Sequence, residues 1–235
     1  MVQLCAASLH QPAGVVDALG DLLSDDERAR VARFRFAADR RRFTVARGFL
    51  RQMVGTILSA SPRAIRFVAG VHGKPFLEHP REPLQFNVSH SDELAVYAFA
   101  WDVPVGVDVE RVSGDVDWQP LAARFLGPSE QAAIRSMAPE QRQDAFFSCW
   151  TRKEAFVKAL GAGLSCSPQA FTVSADPAAP PRVLEVEAPV VASEWSLVDL
   201  RPAPRFRSAL AAAAAVPPHT ELWAWQPCVA PHRPK

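Results

Sequence analysis

Val105-Gly-Val-Asp-Val-Glu-Arg111 alternates apolar and polar residues with a period of two, the period of a β-strand. As a strand it turns the valines at 105, 107 and 109 to one side and Gly106, Asp108 and Glu110 to the other. One face is then apolar, and the other carries two carboxylates able to hold a divalent cation. Further on, Trp150-Thr-Arg-Lys-Glu-Ala-Phe-Val-Lys158 reads as helix, with Phe146, Trp150, Val157 and Leu160 recurring at helical spacing. Glu154 lies one turn from Trp150 on the flank of that apolar stripe, and Lys158 one turn beyond Glu154. A carboxylate drawn toward a core needs a cation, either a lysine or a metal. Met singly, exposed acids on a strand or a Glu/Lys pair four apart are ordinary surface decoration. Both segments in one chain read as a metal-and-phosphate site.

Lysine usage sharpens this. Only four of the twenty-six basic residues are lysine, at 74, 153, 158 and 235. Arginine serves wherever a generic positive charge is enough. Three of the four lysines nevertheless stand in motif-like settings, Gly73-Lys-Pro75 and the helix carrying Lys153 and Lys158. A compact ammonium suits a phosphate oxygen as a point charge, which a planar guanidinium does not duplicate.

Upstream of the Asp108 strand, Leu84–Val88 and Glu93–Phe99 read as strands joined through Ser89-His-Ser-Asp92, and Trp101-Asp-Val-Pro104 leads into the strand at 105. The three strands are expected to form a meander with Ser89 and His90 at its tip, in reach of the carboxylates as phosphate donors. Before them, residues 24–59 open on the capping-box pattern Ser24-Asp-Asp-Glu27 and run helically through Val31, Phe34, Phe43, Phe49 and Val54. Nine arginines fall between 28 and 51.

Downstream, helix is expected over 117–126 and 128–160, then Gly161-Ala-Gly163, then strands near 170–174, 183–187 and 194–199. Ser208–Val216, Pro217–Thr220 and Glu221–Trp225 parallel the earlier strand, turn, strand. Assigning strand to the alanine run there overrides its helical propensity on positional analogy. The chain then divides into two similar α/β halves, 1–104 and 105–235.

The 235 residues, 49% hydrophobic and 22% charged with a net charge of +1, are those of an ordinary globular protein and give no global signal for nucleic acid or membrane. The start lacks a basic signal-peptide region and no apolar run approaches spanning length, so the expected location is cytoplasmic. The cysteines at 5, 149, 166 and 228 have neither zinc nor disulfide-framework spacing and read as unbridged thiols. An arginine-rich nucleic-acid binder would carry clustered basic charge throughout, which the balanced totals disfavour.

Gly106-Val-Asp-Val-Glu110 and Trp150–Lys158, preceded by Asn87-Val-Ser-His90 and Gly73-Lys-Pro75 and accompanied by Arg124-Phe-Leu, resemble in order and spacing the longer, Sfp-like 4′-phosphopantetheinyl transferases. The resemblance runs from about residue 24 to 164. It implies an α+β fold of two similar halves related by a pseudo-twofold, each an antiparallel sheet packed with a long helix. It further implies transfer of the phosphopantetheine arm of coenzyme A to a serine of an apo acyl or peptidyl carrier protein, releasing 3′,5′-ADP, with Mg²⁺ as cofactor. Asp108, Glu110 and Glu154 match the metal-binding acids. Lys158 matches the lysine at the pyrophosphate, and Lys74, Ser89, His90 and Arg42 match the coenzyme A contacts, with Arg41 and Arg47 as neighbouring alternatives to Arg42. Glu154 is also the candidate base for the partner's serine. A monomer with its site between the halves is expected. The competing expectation is a non-catalytic coenzyme A or carrier-protein binding module, against which the intact acids and Lys158 argue.

Overall fold

The computed structural model describes residues 1–70, 73–161 and 169–224, so Gly163, Cys166, Trp225 and Cys228 lie outside the described residues. The first half runs β1 (Val2–Ser8), α1 (Ala13–Gly20), α2 (Asp25–Arg33), α3 (Ala37–Ile57), β2 (Arg66–Ala69), β3 (Pro75–His79), β4 (Leu84–Ser91) and β5 (Leu94–Trp101). The second repeats that order: β6 (Val105–Arg111), α4 (Trp118–Phe125), α5 (Pro128–Ser136), α6 (Pro139–Leu160), β7 (Phe171–Val173), β8 (Val183–Val186), β9 (Ser196–Leu200) and β10 (Phe206–Ala212). One further strand, β11 (Thr220–Ala224), follows.

The repeat reaches single side chains. Glu27 accepts the Ser24 amide at the start of α2, and its carboxylate also receives the buried Arg51 guanidinium of α3, Nε to Oε2 2.6 Å. In the second half Glu130 accepts the Gly127 amide at the start of α5 and takes Lys153 of α6 on both oxygens, at 2.8 and 2.9 Å. Each pair ties a short helix to the long one beneath the sheet. Lys153 gives its third proton to the Phe171 carbonyl at 2.6 Å, so it does not meet a phosphate as its motif setting had suggested.

The two larger sheets are β11-β1-β5-β4 and β6-β10-β9, beside the two-stranded pairs β2-β3 and β7-β8. The larger two stack face to face between the two long helices. Val45, Phe49, Leu50 and Val54 of α3 pack against Cys5, Ala7, Tyr97 and Phe99 on the outer face of the first sheet. Phe156 and Ala159 of α6 pack against Leu197, Ala209 and Ala211 of the second. Between the sheets lies a third core in which Val2, Leu4, Ala6, Val96 and Ala98 meet Val105, Val107, Val109 and Leu210. Strands buried on both faces explain why β5 and β10 are nearly continuous apolar runs. In β10 alanine suits this place because its small side chain lets α6 lie close, so the alanine run is strand despite its helical propensity.

Several expectations need correction. The three strands at 84–110 are not a meander: β5 pairs with β4 and β1, whereas β6 pairs with β10 and opens the second sheet. The apolar valine face of β6 is needed between sheets, and that carries it across. The helical run from 24 breaks at Phe34-Arg35-Phe36, where Phe34 and Phe36 both take extended backbone and α2 folds back on α3. The run from 128 breaks before Pro139, which starts α6 from its first turn. Helix α1 was not expected at all. Finally β11, placed in the second half by sequence, adds in parallel to β1 of the first sheet, Val2 opposite Thr220.

Candidate functional site

Strand β6 has one edge bonded to β10 and the other turned toward β4, with which it forms no backbone ladder. Instead β4 supplies side chains. Asn87 Oδ1 accepts the Val107 amide at 2.9 Å, Ser89 Oγ the Val109 amide at 3.4 Å, and Ser91 Oγ the Arg111 amide at 3.1 Å. Three polar residues at a spacing of two on one strand thus meet three amides at the same spacing on another. The other flank of β6 is covered by α6, which comes so close at Gly106 that a Cβ there would stand 2.1 Å from the Ala155 carbonyl oxygen and 2.3 Å from the Ala159 amide nitrogen. The cap of α6 is Gly161, whose φ of 69° favours glycine.

Asp108 sits in this seam, 3% exposed. Its Oδ1 accepts from Ser89 Oγ at 2.8 Å and from the Lys158 ammonium, which also donates to Ser89 Oγ at 2.9 Å. Its Oδ2 is buried and has no hydrogen-bond partner among the described residues. Glu110 Oε2 accepts from Ser91 Oγ at 2.9 Å, and the Trp150 indole of α6 stands near enough to favour its charged form. Burial pushes the carboxyls of Asp108, Glu110 and Glu154 above their usual range. The Asp108 charge adds to this for Glu110 and Glu154, while Lys158 pulls all three back.

Three crowded carboxylates share one ammonium, and one buried oxygen lacks a partner. That donor set fits a hard divalent cation. Among the described residues no group of three or more acid, imidazole or thiol side chains is assembled as a ready metal cluster. Lys158 holds Asp108 Oδ1, and Oδ2 is the oxygen left for such a cation.

His90, on the open side of β4, is held below the usual imidazole range by the protein packed around it and by the Lys158 and Arg42 charges. Lys74 reaches across the halves, donating to the Lys158 carbonyl at 2.7 Å and the Val105 carbonyl at 3.1 Å. A cleft of about 230 Å³ opens there, walled by Gly73, Lys74, Pro75 and Asn87 from the first half and Lys158 and Gly161 from the second. Arg42 lies at the β4–β5 turn, bonded to Glu93 at 3.0 Å and Asp92 at 3.3 Å, with Arg41 also on Glu93 at 2.6 Å. Arg47 is packed over Phe67 and paired with Glu27. Sequence reading passed over Asn87, Ser91 and Trp150 as parts of this site; polar residues at 87, 89 and 91 among apolar 84, 86 and 88 were the available signal.

Over 228 residues the chain is 36% identical to the 4′-phosphopantetheinyl transferase HetI of Nostoc sp., covering 96% of this chain and 90% of that one. The chain belongs to the 4′-phosphopantetheinyl transferase family. Residues 104–215 match the model of the 4′-phosphopantetheinyl transferase superfamily, and residues 14–101 match that of the 4′-phosphopantetheinyl transferase N-terminal region. The transferase psf-1 of Bacillus pumilus is 33% identical over 77% of each chain, and a 4′-phosphopantetheinyl transferase of Bacillus subtilis is 31% identical over 68% of this chain and 70% of its own. These relatives place the transferase in the Sfp-like group. No helix among its described residues is long and apolar enough to cross a membrane.

Proposed function

We propose that the transferase moves the phosphopantetheine arm of coenzyme A to a serine hydroxyl of an apo carrier protein, releasing 3′,5′-ADP, and that it does so as a monomer in the cleft between its halves. The observation that carries this reading is the Asp108, Ser89 and Lys158 contact beside Glu110 and Glu154, built from β4 of one half and β6 and α6 of the other. Phosphoryl transfer asks mainly for positioning and for neutralising charge on the groups in flight. Lys158 donates to two atoms of this chain and so keeps one of its three protons for a pyrophosphate oxygen; Lys74 keeps one in the same way. His90 and Arg42 stand together on the first-half wall, suited to a further phosphate of the same substrate, the latter by exchanging its carboxylate partners for it. Ser89 contributes differently: its single proton goes to Asp108, so toward a ligand it acts through that carboxylate and Lys158.

Asp108, Glu110 and Glu154 are the residues that would hold Mg²⁺, which when bound would neutralise charge on the pyrophosphate. Burial raises the Glu154 carboxyl pKa, which suits it to accept the proton of the incoming serine. The test is incubation with coenzyme A and a panel of apo carrier proteins, with Mg²⁺ or with EDTA, read by intact mass. The expected result is a gain of one phosphopantetheine on at least one carrier with Mg²⁺ only. Unmodified carriers throughout would refute the substrate assignment, and equal modification in EDTA the metal assignment.

A further inference from the structure

We propose that Ser91 is a positioning residue for Glu110, holding that carboxylate in the orientation in which it receives a divalent cation. The inference rests on the reading of Glu110 as a metal-binding acid. Its support is a motif that occurs twice. Ser89 accepts the amide of Val109 and donates to the carboxylate of the preceding residue, Asp108, at 2.8 Å. Two residues along, Ser91 accepts the amide of Arg111 and donates to the carboxylate of the preceding residue, Glu110, at 2.9 Å. A serine hydroxyl has one proton. With the Arg111 N–H pointing at Ser91 Oγ, that proton has one acceptor in reach among the described contacts, Glu110 Oε2.

Each acid of β6 is therefore held by a serine of β4, Asp108 by Ser89 and Glu110 by Ser91, and Asp108 also takes Lys158 of α6. The spacing of two in β4 reproduces the spacing of two in β6, so one strand sets both carboxylates at once. Ligating carboxylates are themselves commonly hydrogen-bonded, and loss of such a partner lowers metal affinity by about 10- to 100-fold. Ser91 differs from Ser89 in lacking a bond to Lys158, so its removal isolates the orienting effect on one acid.

The experiment is Mn²⁺ binding to the full chain in the presence of coenzyme A, followed by the electron paramagnetic resonance of free Mn²⁺. Wild type, S91A, S91T, E110Q and the S91A/E110Q double variant are compared, with coenzyme A affinity measured separately in EDTA. S91A is expected to weaken Mn²⁺ binding about ten-fold, to leave coenzyme A affinity in EDTA unchanged, and to have no further effect on the E110Q background. S91T, which keeps the hydroxyl on a strand that accepts β-branching, is expected to restore binding. Wild-type Mn²⁺ affinity in S91A with impaired E110Q would overturn the role of Ser91. So would a loss from S91A of the same size on both backgrounds, because Ser91 would then act through something other than Glu110. Wild-type affinity in E110Q would instead overturn the metal reading beneath the inference, and the inference with it.

Discussion

Asp108 and Glu154 can be changed with little loss of packing, because what they contribute is charge. Asp108→Asn keeps the shape and the oxygen that accepts from Ser89, and Glu154→Gln replaces a half-buried acid by its amide. Each is expected to lower transfer to a carrier protein by roughly 100-fold or more, the scale of losing a charge-stabilising group at a reacting centre. Initial rates by intact mass, with melting followed by circular dichroism, check this; rates within a few-fold of wild type would remove the acid from the site. Lys74 makes a different prediction. Burial holds its pKa at about 8, below the ordinary 10.5. Between those values the unfolded chain binds a proton that the folded chain does not, so stability rises with pH across that window. Lys74→Met lacks this rise. Urea midpoints of the two proteins should therefore diverge in favour of wild type from pH 8 to 10.5, and parallel curves would contradict the burial of that ammonium.

At the level of elements the tightest approach is β6 on α6. A methyl group at Gly106 would meet backbone atoms of Ala155 and Ala159, which cannot rotate away as a side chain can. Gly106→Ala should cost about 1–3 kcal/mol or more. It should also shift Glu154 and Lys158, which flank the contact, so activity should fall further than the folded fraction does. A urea denaturation curve and a specific activity corrected for folded protein separate the two effects. Much of this was legible in sequence, because period-two valines and a helical stripe fix faces whatever surrounds them. The apolar and acidic faces of β6 and the buried stripe of α6 were read in that way, and the alanine strand by analogy with the first half. What a strand pairs with is a long-range matter and was not legible. The short link at Asp102–Pro104 looks like a hairpin, yet it carries β6 to another sheet. Lys153 looked like a phosphate ligand because its burial against Glu130 depends on a helix twenty-three positions away. The serine contacts to β6 escaped notice for the same reason: each spans about twenty residues.

For the molecule as a whole, the shared core between the sheets joins the halves, and the proposed site lies where they meet. Expressed separately, 1–104 lacks the acids and 105–235 lacks Lys74, Ser89 and His90, and both expose their inter-sheet valines and alanines. Neither piece is expected to bind coenzyme A, by calorimetry, while the two mixed should recover part of the binding. Tight binding by one piece alone would place the cleft inside a half. The repeat also explains why one site suffices. In the alternation of β1, Cys5 and Ala7 stand where Asp108 and Glu110 stand in β6, and β11 occupies the edge that β6 leaves to β4. That closing strand has a bearing on biosynthesis. Val2 is paired with Thr220, so the ribosome finishes the first half long before it makes the strand that seals its edge. Throughout translation of the second half, β1 offers unpaired amides and carbonyls to any extended chain nearby. The nascent protein is thus most open to misassociation at a strand that, once folded, is among its least accessible.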